Sequence, residues 1–493
     1  MTATAHDTRR AADELLDWVP TGCLIGGAWR ASSDGSGIDV LDPATEEVIA
    51  TVPDGTVADA AAAVDAASGA LHEWRATSPR HRSEVLRSAF VLMTERADAL
   101  ARLMTLENGK ALADARSEAA YAAEFFRWYS EEAVRNVGEV MMAPSGANRI
   151  LVTRQPIGIA LLITPWNFPA AMLTRKIGPA LAAGCTVVCK PASETPLTAL
   201  AVGRILEEAG VPPGVVNIVP SRRSGEVARA VLSDDRVRKL SFTGSTEVGR
   251  ALLGLAADKV VSCSMELGGN APFVVFADAD LTAAVDGAMA AKMRNGGEAC
   301  TAANRFYVEA PVAGRFAELL AERMGALRMG RGLDEGVQLG PLVNAPSRDK
   351  VRELVDEARS DGAAAVVGGD APGGTGYFFP PTVLADVPAG ARLLRTEIFG
   401  PVAPVVSFET EEEAISLAND TEHGLASYLY TGDLGRGLRV AEAIEAGMVG
   451  INRGLVSDPA APFGGVKQSG LGREGGHDGM LEYMEQKYIA CSW

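Results

Sequence analysis

Three residue types in three separated stretches could do chemistry together: the thiol of Cys300, the carboxylate of Glu266 and the side-chain amide of Asn167. Cys300 stands in Asn295-Gly296-Gly297-Glu298-Ala299-Cys300-Thr301, behind a pair of glycines and ahead of the strand-like run Arg305-Phe306-Tyr307-Val308. Glycine lets a chain turn sharply and approach a ligand closely, so a cysteine here can present both a thiol and a backbone N–H. As a thiolate it would be a nucleophile toward a carbonyl carbon. Glu266, in Met265-Glu266-Leu267-Gly268-Gly269-Asn270, has the chemistry of a general base. Asn167, in Pro165-Trp166-Asn167-Phe168-Pro169, is one amide presented by a backbone that prolines restrain. Singly, each has a plain reading: a lone cysteine is most often a small core hydrophobe, the carboxylate a surface acid, the prolyl stretch a loop.

Repeated strand and helix units must position these groups. From residue 157 short apolar strands alternate with helices: strands at 157–164, 186–189, 215–219 and 239–242, helices at 170–183, 198–209 and 225–232. That alternation implies a parallel, doubly wound sheet, whose ligands sit beyond the strand carboxyl ends. Phe242-Thr243-Gly244-Ser245-Thr246-Glu247-Val248-Gly249 runs from a strand into a helix through a turn whose free N–H groups suit phosphate. Ahead of it the sequence predicts strands near 24–30 and 44–50 and helices at 57–71, 80–107 and 112–134. Residues 138–155 read as a projecting hairpin, and a second α/β unit follows residue 264, with late alternation over 402–449. The C-terminal run Tyr488-Ile489-Ala490 has the character of a strand that completes a sheet.

Composition sets the outer limits. A chain of 493 residues, 47% apolar and 22% charged, belongs with soluble globular proteins of two to four domains. A net charge of −17 argues against nucleic acid as a partner. Residues 1–18 lack an apolar leader core and no stretch is long enough to span a membrane, so a cytoplasmic protein with reduced thiols is expected. Cys185 and Cys189 stand four apart, but the five dispersed histidines offer no complementary ligands, and no metal is expected.

Two further stretches join the first three: Glu397-Ile398-Phe399-Gly400-Pro401, and Pro462-Phe463-Gly464-Gly465-Val466-Lys467 with Ser469-Gly470. In this order and spacing the five resemble the aldehyde dehydrogenase superfamily over nearly the whole chain, and within it the NAD(P)-dependent succinate-semialdehyde dehydrogenase branch. The resemblance implies an α/β fold: a Rossmann-type cofactor domain over 1–137 and 156–266, a catalytic domain over 267–469, and an oligomerisation element from 138–155 and 470–493. A homodimer or homotetramer is expected.

It implies roles as well. Cys300 adds to an aldehyde, Asn167 and the Cys300 N–H stabilise the oxyanion, and Glu266 activates water to hydrolyse the thioester. NAD(P) is held by Thr164, Pro165, Trp166, Lys190, Ser193, Gly244, Ser245, Val248, Leu267, Glu397 and Phe399. Ser193 stands where NAD-specific relatives commonly carry a glutamate that repels a 2′-phosphate, so NADP is favoured over NAD. Arg222 and Arg223 could add positive charge near that phosphate. Arg175 and Arg294, with Ser457, would hold the carboxylate of succinate semialdehyde.

Three departures stand out. Glu298 replaces the glutamine of many relatives, and Ala302 replaces a cysteine that in some forms a disulfide with the nucleophile. Arg453 adds a cation that would favour a longer or more anionic tail, such as glutarate semialdehyde or a sulfonated aldehyde.

Overall fold

Continuous apolar runs become the fully buried strands Ile159–Ile163, Thr186–Lys190 and Val216–Ile218, because a strand covered on both faces has no reason to alternate. The computed structural model describes residues 16–492, so most of the segment read for a leader lies outside it. Among the described residues these strands sit in an eight-stranded sheet. From one edge it runs Ala28–Arg30, Cys23–Ile25, Val216–Ile218, Thr186–Lys190, Ile159–Ile163, Val237–Thr243, Ser262–Glu266 and Gly470–Leu471. The middle strands are parallel and the outer ones antiparallel. The chain order reverses between Ile159–Ile163 and Val237–Thr243, and the crevice beyond the carboxyl ends of such a pair is where a doubly wound sheet binds ligands. Those two ends carry the turns that hold Asn167 and Ser245.

A seven-stranded sheet follows: Ala364–Val367, Thr382–Ala385, Val402–Phe408, Ala303–Glu309, Ala271–Val275, Ala426–Tyr430 and Met448–Ile451. It is parallel except for its first pair. Only residues 267–270 separate the last parallel strand of the first sheet from Ala271–Val275 of the second. The carboxyl edge of one sheet therefore meets the amino edge of the other at Glu266, and Cys300 lies just ahead of Ala303–Glu309.

The helix expected over 80–107 is two helices, Pro79–Glu95 and Ala97–Asn108, broken at Arg96 with φ −103° and ψ 14°. Its guanidinium reaches Glu208 at 2.5 Å, a tertiary contact that periodicity cannot see. The strand Gly37–Leu41 and the helix Ala345–Ser360 also went unread, the first short and the second rich in charge.

Strands Glu139–Met142, Arg149–Pro156 and Met484–Cys491 form a separate three-stranded sheet that leaves Val140, Met141, Met142, Tyr488 and Ile489 exposed. The segment 470–493 is thus divided: Gly470–Leu471 edges the first sheet and only the last strand joins the hairpin. Among the described residues no helix is long and apolar enough to cross a membrane.

Candidate active site

The nucleophile loop is bent by left-handed backbone at Asn295, Gly296 and Gly297, with φ of 55°, 61° and 80°. A side chain at residue 297 would run into the Gly400 carbonyl, so glycine is required there for packing as well as for φ. Gly269 plays the same part opposite, since its missing side chain makes room for the Cys300 carbonyl. Behind the loop the buried Tyr428 hydroxyl donates to the Thr301 carbonyl at 2.8 Å. Cys300 remains half-buried and lines a cavity of about 230 Å³.

Asn167 is joined to this loop directly. Its Nδ2 donates to the Glu298 carbonyl at 3.0 Å, and Asn295 Nδ2 donates to the same oxygen at 2.9 Å and to the Asn167 carbonyl at 3.0 Å. One Nδ2 hydrogen of Asn167 is left for a ligand oxygen. The Glu298 side chain turns away, with Oε1 accepting from the Val343 N–H at 3.2 Å, and burial raises its carboxyl to about 8.

Glu266 closes the other side. It ends its strand, 2% exposed, with its carbonyl accepting from the Gly244 N–H at 3.1 Å. Its Oε2 has no hydrogen-bond partner among the described residues. Nearby, Glu474 takes Arg175 Nε at 2.7 Å and Lys176 Nζ, and Lys176 also donates to Ser241 Oγ at 2.9 Å. Burial pushes the Glu266 carboxyl well up, Glu474 adds to the rise, and Arg175 and Lys176 oppose it. Burial likewise pushes the Cys300 thiol up to about 12, against the pull of Arg175 and Arg294. Burial thus opposes ionisation of both the thiol and the carboxyl.

The cavity has the parts of a dinucleotide site. Pro165, Trp166, Gly244, Ser245, Leu267, Glu397 and Phe399 line it, and Trp166 meets Phe399 edge to face at 5.4 Å. The Ser245 hydroxyl caps the helix Thr246–Ala257, accepting from the Val248 N–H, and half-exposed Val248 follows in the first turn. A helix amino terminus in a pocket wall suits a pyrophosphate. Glu397 keeps one oxygen on the Gly269 N–H at 3.1 Å, leaving the other for a hydroxyl, and burial raises it to about 7. Lys190 is buried, with its ammonium on the Pro191 carbonyl at 3.0 Å, and burial lowers it to about 8. That ammonium has donors to spare for a ribose. The Thr164 N–H donates to the Lys190 carbonyl at 3.2 Å, tying the two strand ends together.

The charge expected from Arg222 and Arg223 is largely spoken for. Arg223 pairs with Asp34 at 2.8 Å, and Arg222 leans on the Asp39 carbonyl at 3.4 Å. Half-buried Ser193 donates to Glu194 at 3.2 Å.

The two arginines expected to hold the substrate differ. Arg175, 1% exposed, is held by Glu474 and lies 4.1 Å from the Phe463 ring, whereas Arg294 is half-buried and lies over Phe168 at 4.7 Å and Tyr121 at 5.8 Å. Ser457 is half-buried in the loop after Met448–Ile451, and its neighbour Val456 packs against the same apolar cluster as Cys300 does. Exposed Arg453, in the same loop, donates through Nε to the Leu455 carbonyl at 2.8 Å. Sequence reasoning missed Glu474, Glu118 and Lys110, all buried and ion-paired, because nothing in their local pattern marks an interior charge.

The aldehyde dehydrogenase family matches residues 29–489. A succinate-semialdehyde dehydrogenase of Paenarthrobacter nicotinovorans is 58% identical over 445 residues, which is 90% of this chain and 99% of the relative. A glutarate-semialdehyde dehydrogenase of Pseudomonas putida is 51% identical over 95% of this chain and 97% of its own length. The crystal structure of an NADP-dependent enzyme of E. coli has a TM-score of 0.95 at 50% identity, covering 97% of this chain and 99% of that one.

Proposed function

This chain belongs to the aldehyde dehydrogenase family, and on that premise we propose that it oxidises a semialdehyde with an anionic tail, succinate semialdehyde foremost, to the dicarboxylate with NAD(P). The observation that carries this reading is the meeting of Cys300, Asn167 and Glu397 in one cavity, with Arg175 and Arg294 acting on the Cys300 thiol.

The chemistry follows from the residues. As the thiolate, its proton passed to solvent, Cys300 Sγ adds to the carbonyl carbon, and the π pair moves onto oxygen. Asn167 Nδ2 and the Cys300 N–H donate to that oxyanion, the kind of contact whose loss costs about 3–4 kcal/mol. A bound nicotinamide would supply the acceptor for the hydride of the substrate carbon. Glu266 then takes a proton from water, the hydroxyl oxygen adds to the thioester carbon, and the C–S bond breaks to return Cys300 as thiolate. Glu397, Lys190 and the amino terminus of Thr246–Ala257 hold the cofactor.

NADP is the preferred form. Neutral Ser193 removes one repulsion from a 2′-phosphate, and the E. coli structure is described as NADP dependent. Arg453, in the same loop as Ser457, supports glutarate semialdehyde as a second substrate. The exposed apolar strand pair at 139–156 and the C-terminal strand serve assembly into a dimer or tetramer, in the cytoplasm.

A panel of kcat/KM values for succinate, glutarate, sulfonated and uncharged aldehydes, each with NAD and NADP, tests this. Anionic substrates lead in the wild type, and Arg294→Met lowers kcat/KM for them about 10- to 100-fold while sparing uncharged ones. A wild-type preference for uncharged aldehydes overturns the arginine reading, and equal or better kcat/KM with NAD overturns the cofactor preference.

A further inference from the structure

A turn far away in sequence grips the loop that carries Asn167. The helix Ala97–Asn108 leads into Glu107-Asn108-Gly109-Lys110, whose three polar side chains run inward, 1%, 0% and 4% exposed. Glu107 accepts from the N–H groups of Leu197 and Thr198, at 2.8 and 2.9 Å, where the helix Pro196–Glu208 begins. Asn108 Nδ2 donates to the Trp166 carbonyl at 3.2 Å. Lys110 Nζ donates to the Asn167 carbonyl at 2.6 Å, pairs with Glu118 at 2.6 Å and lies 4.5 Å from the Phe168 ring.

Glu118 completes the grip. Its Oε1 accepts from the N–H groups of Ala170 and Ala171, at 2.9 and 3.2 Å, in the first turn of the helix Pro169–Ala183. That helix has no side-chain cap of its own at Phe168, so Glu118 supplies one from outside. The loop 165–169 is therefore held at Trp166, at Asn167 and at the helix it enters, all from one short stretch and its partner.

The Asn167 carbonyl has two donors, and they come from opposite domains. Lys110 reaches it from the cofactor-binding side, and Asn295 reaches it from the nucleophile loop. Together they set the peptide plane from which the Asn167 side chain extends to the Glu298 carbonyl. Without Lys110 only Asn295 would hold that carbonyl, and the amide would lose its fixed aim. Stability alone is a poor reason for this arrangement, because a buried ion pair seldom outperforms an apolar pair of similar volume. An apolar pair could not grip a carbonyl.

We propose that Lys110 is a positioning residue for the oxyanion amide: held by Glu118, its ammonium fixes the Asn167 peptide and so directs Nδ2 at the substrate oxygen on Cys300. The inference rests on the role given to Asn167 above. A double-mutant cycle over Lys110→Met and Asn167→Ala tests it, read as kcat, KM and the dissociation constant for NADP. Lys110→Met lowers kcat roughly 10- to 100-fold and shifts the cofactor constant less than about threefold, because the change reaches chemistry through one amide. In the Asn167→Ala background the same substitution costs less than about threefold, since the group it aims is gone.

If Asn167→Ala is impaired and Lys110→Met multiplies that loss in full, or if Lys110→Met alone leaves kcat unchanged, the inference is overturned. If Asn167→Ala keeps wild-type kcat, the oxyanion assignment itself falls, which is a separate result. Should Lys110→Met fold poorly with Glu118 unpaired, K110M/E118Q removes both charges and keeps an acceptor for Ala170 and Ala171. That variant shows the same fall in kcat, and wild-type turnover by the folded double variant would equally overturn the inference.

Discussion

On one side of Cys300, Asn167 and Asn295 donate to a single carbonyl, that of Glu298, through uncharged side-chain amides. On the other side, Glu266 and Glu474 share a buried space with Arg175 and Lys176. The first side works by aim: amide dipoles do not titrate, so their value depends on where they point. The second works by balance, because each charge there sets the ionisation of its neighbours. In the proposed reaction, separating the two lets the oxyanion contacts stay constant while Glu266 gains and loses its proton.

Removing the group both sides serve should give the largest effect. Cys300→Ala abolishes aldehyde oxidation, and titration of the variant with NADP still shows binding, since Lys190, Ser245 and Glu397 are untouched. Full activity in this variant would break the whole comparison.

Glu474→Gln probes the balanced side alone. The Glu474 charge raises the Glu266 carboxyl, while Arg175 and Lys176 lower it. With the anion gone and the cations kept, the Glu266 carboxylate forms at lower pH, so the acid limb of the kcat profile moves down the pH scale. A limb that stays put or moves up would show that Glu474 does not govern the base.

Glu298→Gln is the mildest change and sharpens the view of the neutral side. Burial raises this carboxyl from 4.5 to about 8, so the folded chain holds a proton that the unfolded chain releases between those values. Stability is therefore whole below about pH 4.5 and declines as pH rises toward 8. Glutamine keeps an acceptor for the Val343 N–H and has no proton to lose, so the variant melts roughly 2–5 °C above wild type at pH 8.5 and level with it at pH 4.5. Equal melting at both pH values would contradict this.

Cys300, Glu266 and Asn167 stood out in the sequence as candidates because each stands in a stretch of glycine or proline whose backbone demands are written locally. The doubly wound order was legible too, since buried parallel strands leave unbroken apolar runs. Lys110, Glu118 and Glu474 were not, because an interior charge looks like a surface one until its partner is known, and the Lys176–Glu474 pair is separated by 298 positions. Arg96 hid for the same reason: the helical rhythm passes through it, and the break is stabilised by Glu208, far along the chain. Arg223 read as available positive charge, but Asp34 and Asp54 neutralise it in the fold.

The short strand Gly470–Leu471 pairs with Met265 and Glu266 at the edge of the first sheet, and Glu474 follows it into the site. During synthesis the thiol at residue 300 leaves the ribosome long before these residues do, on the order of ten to thirty seconds at usual elongation rates. A nascent chain thus carries Cys300 before the surroundings of Glu266, which are complete only once Gly470–Leu471 and Glu474 have been made.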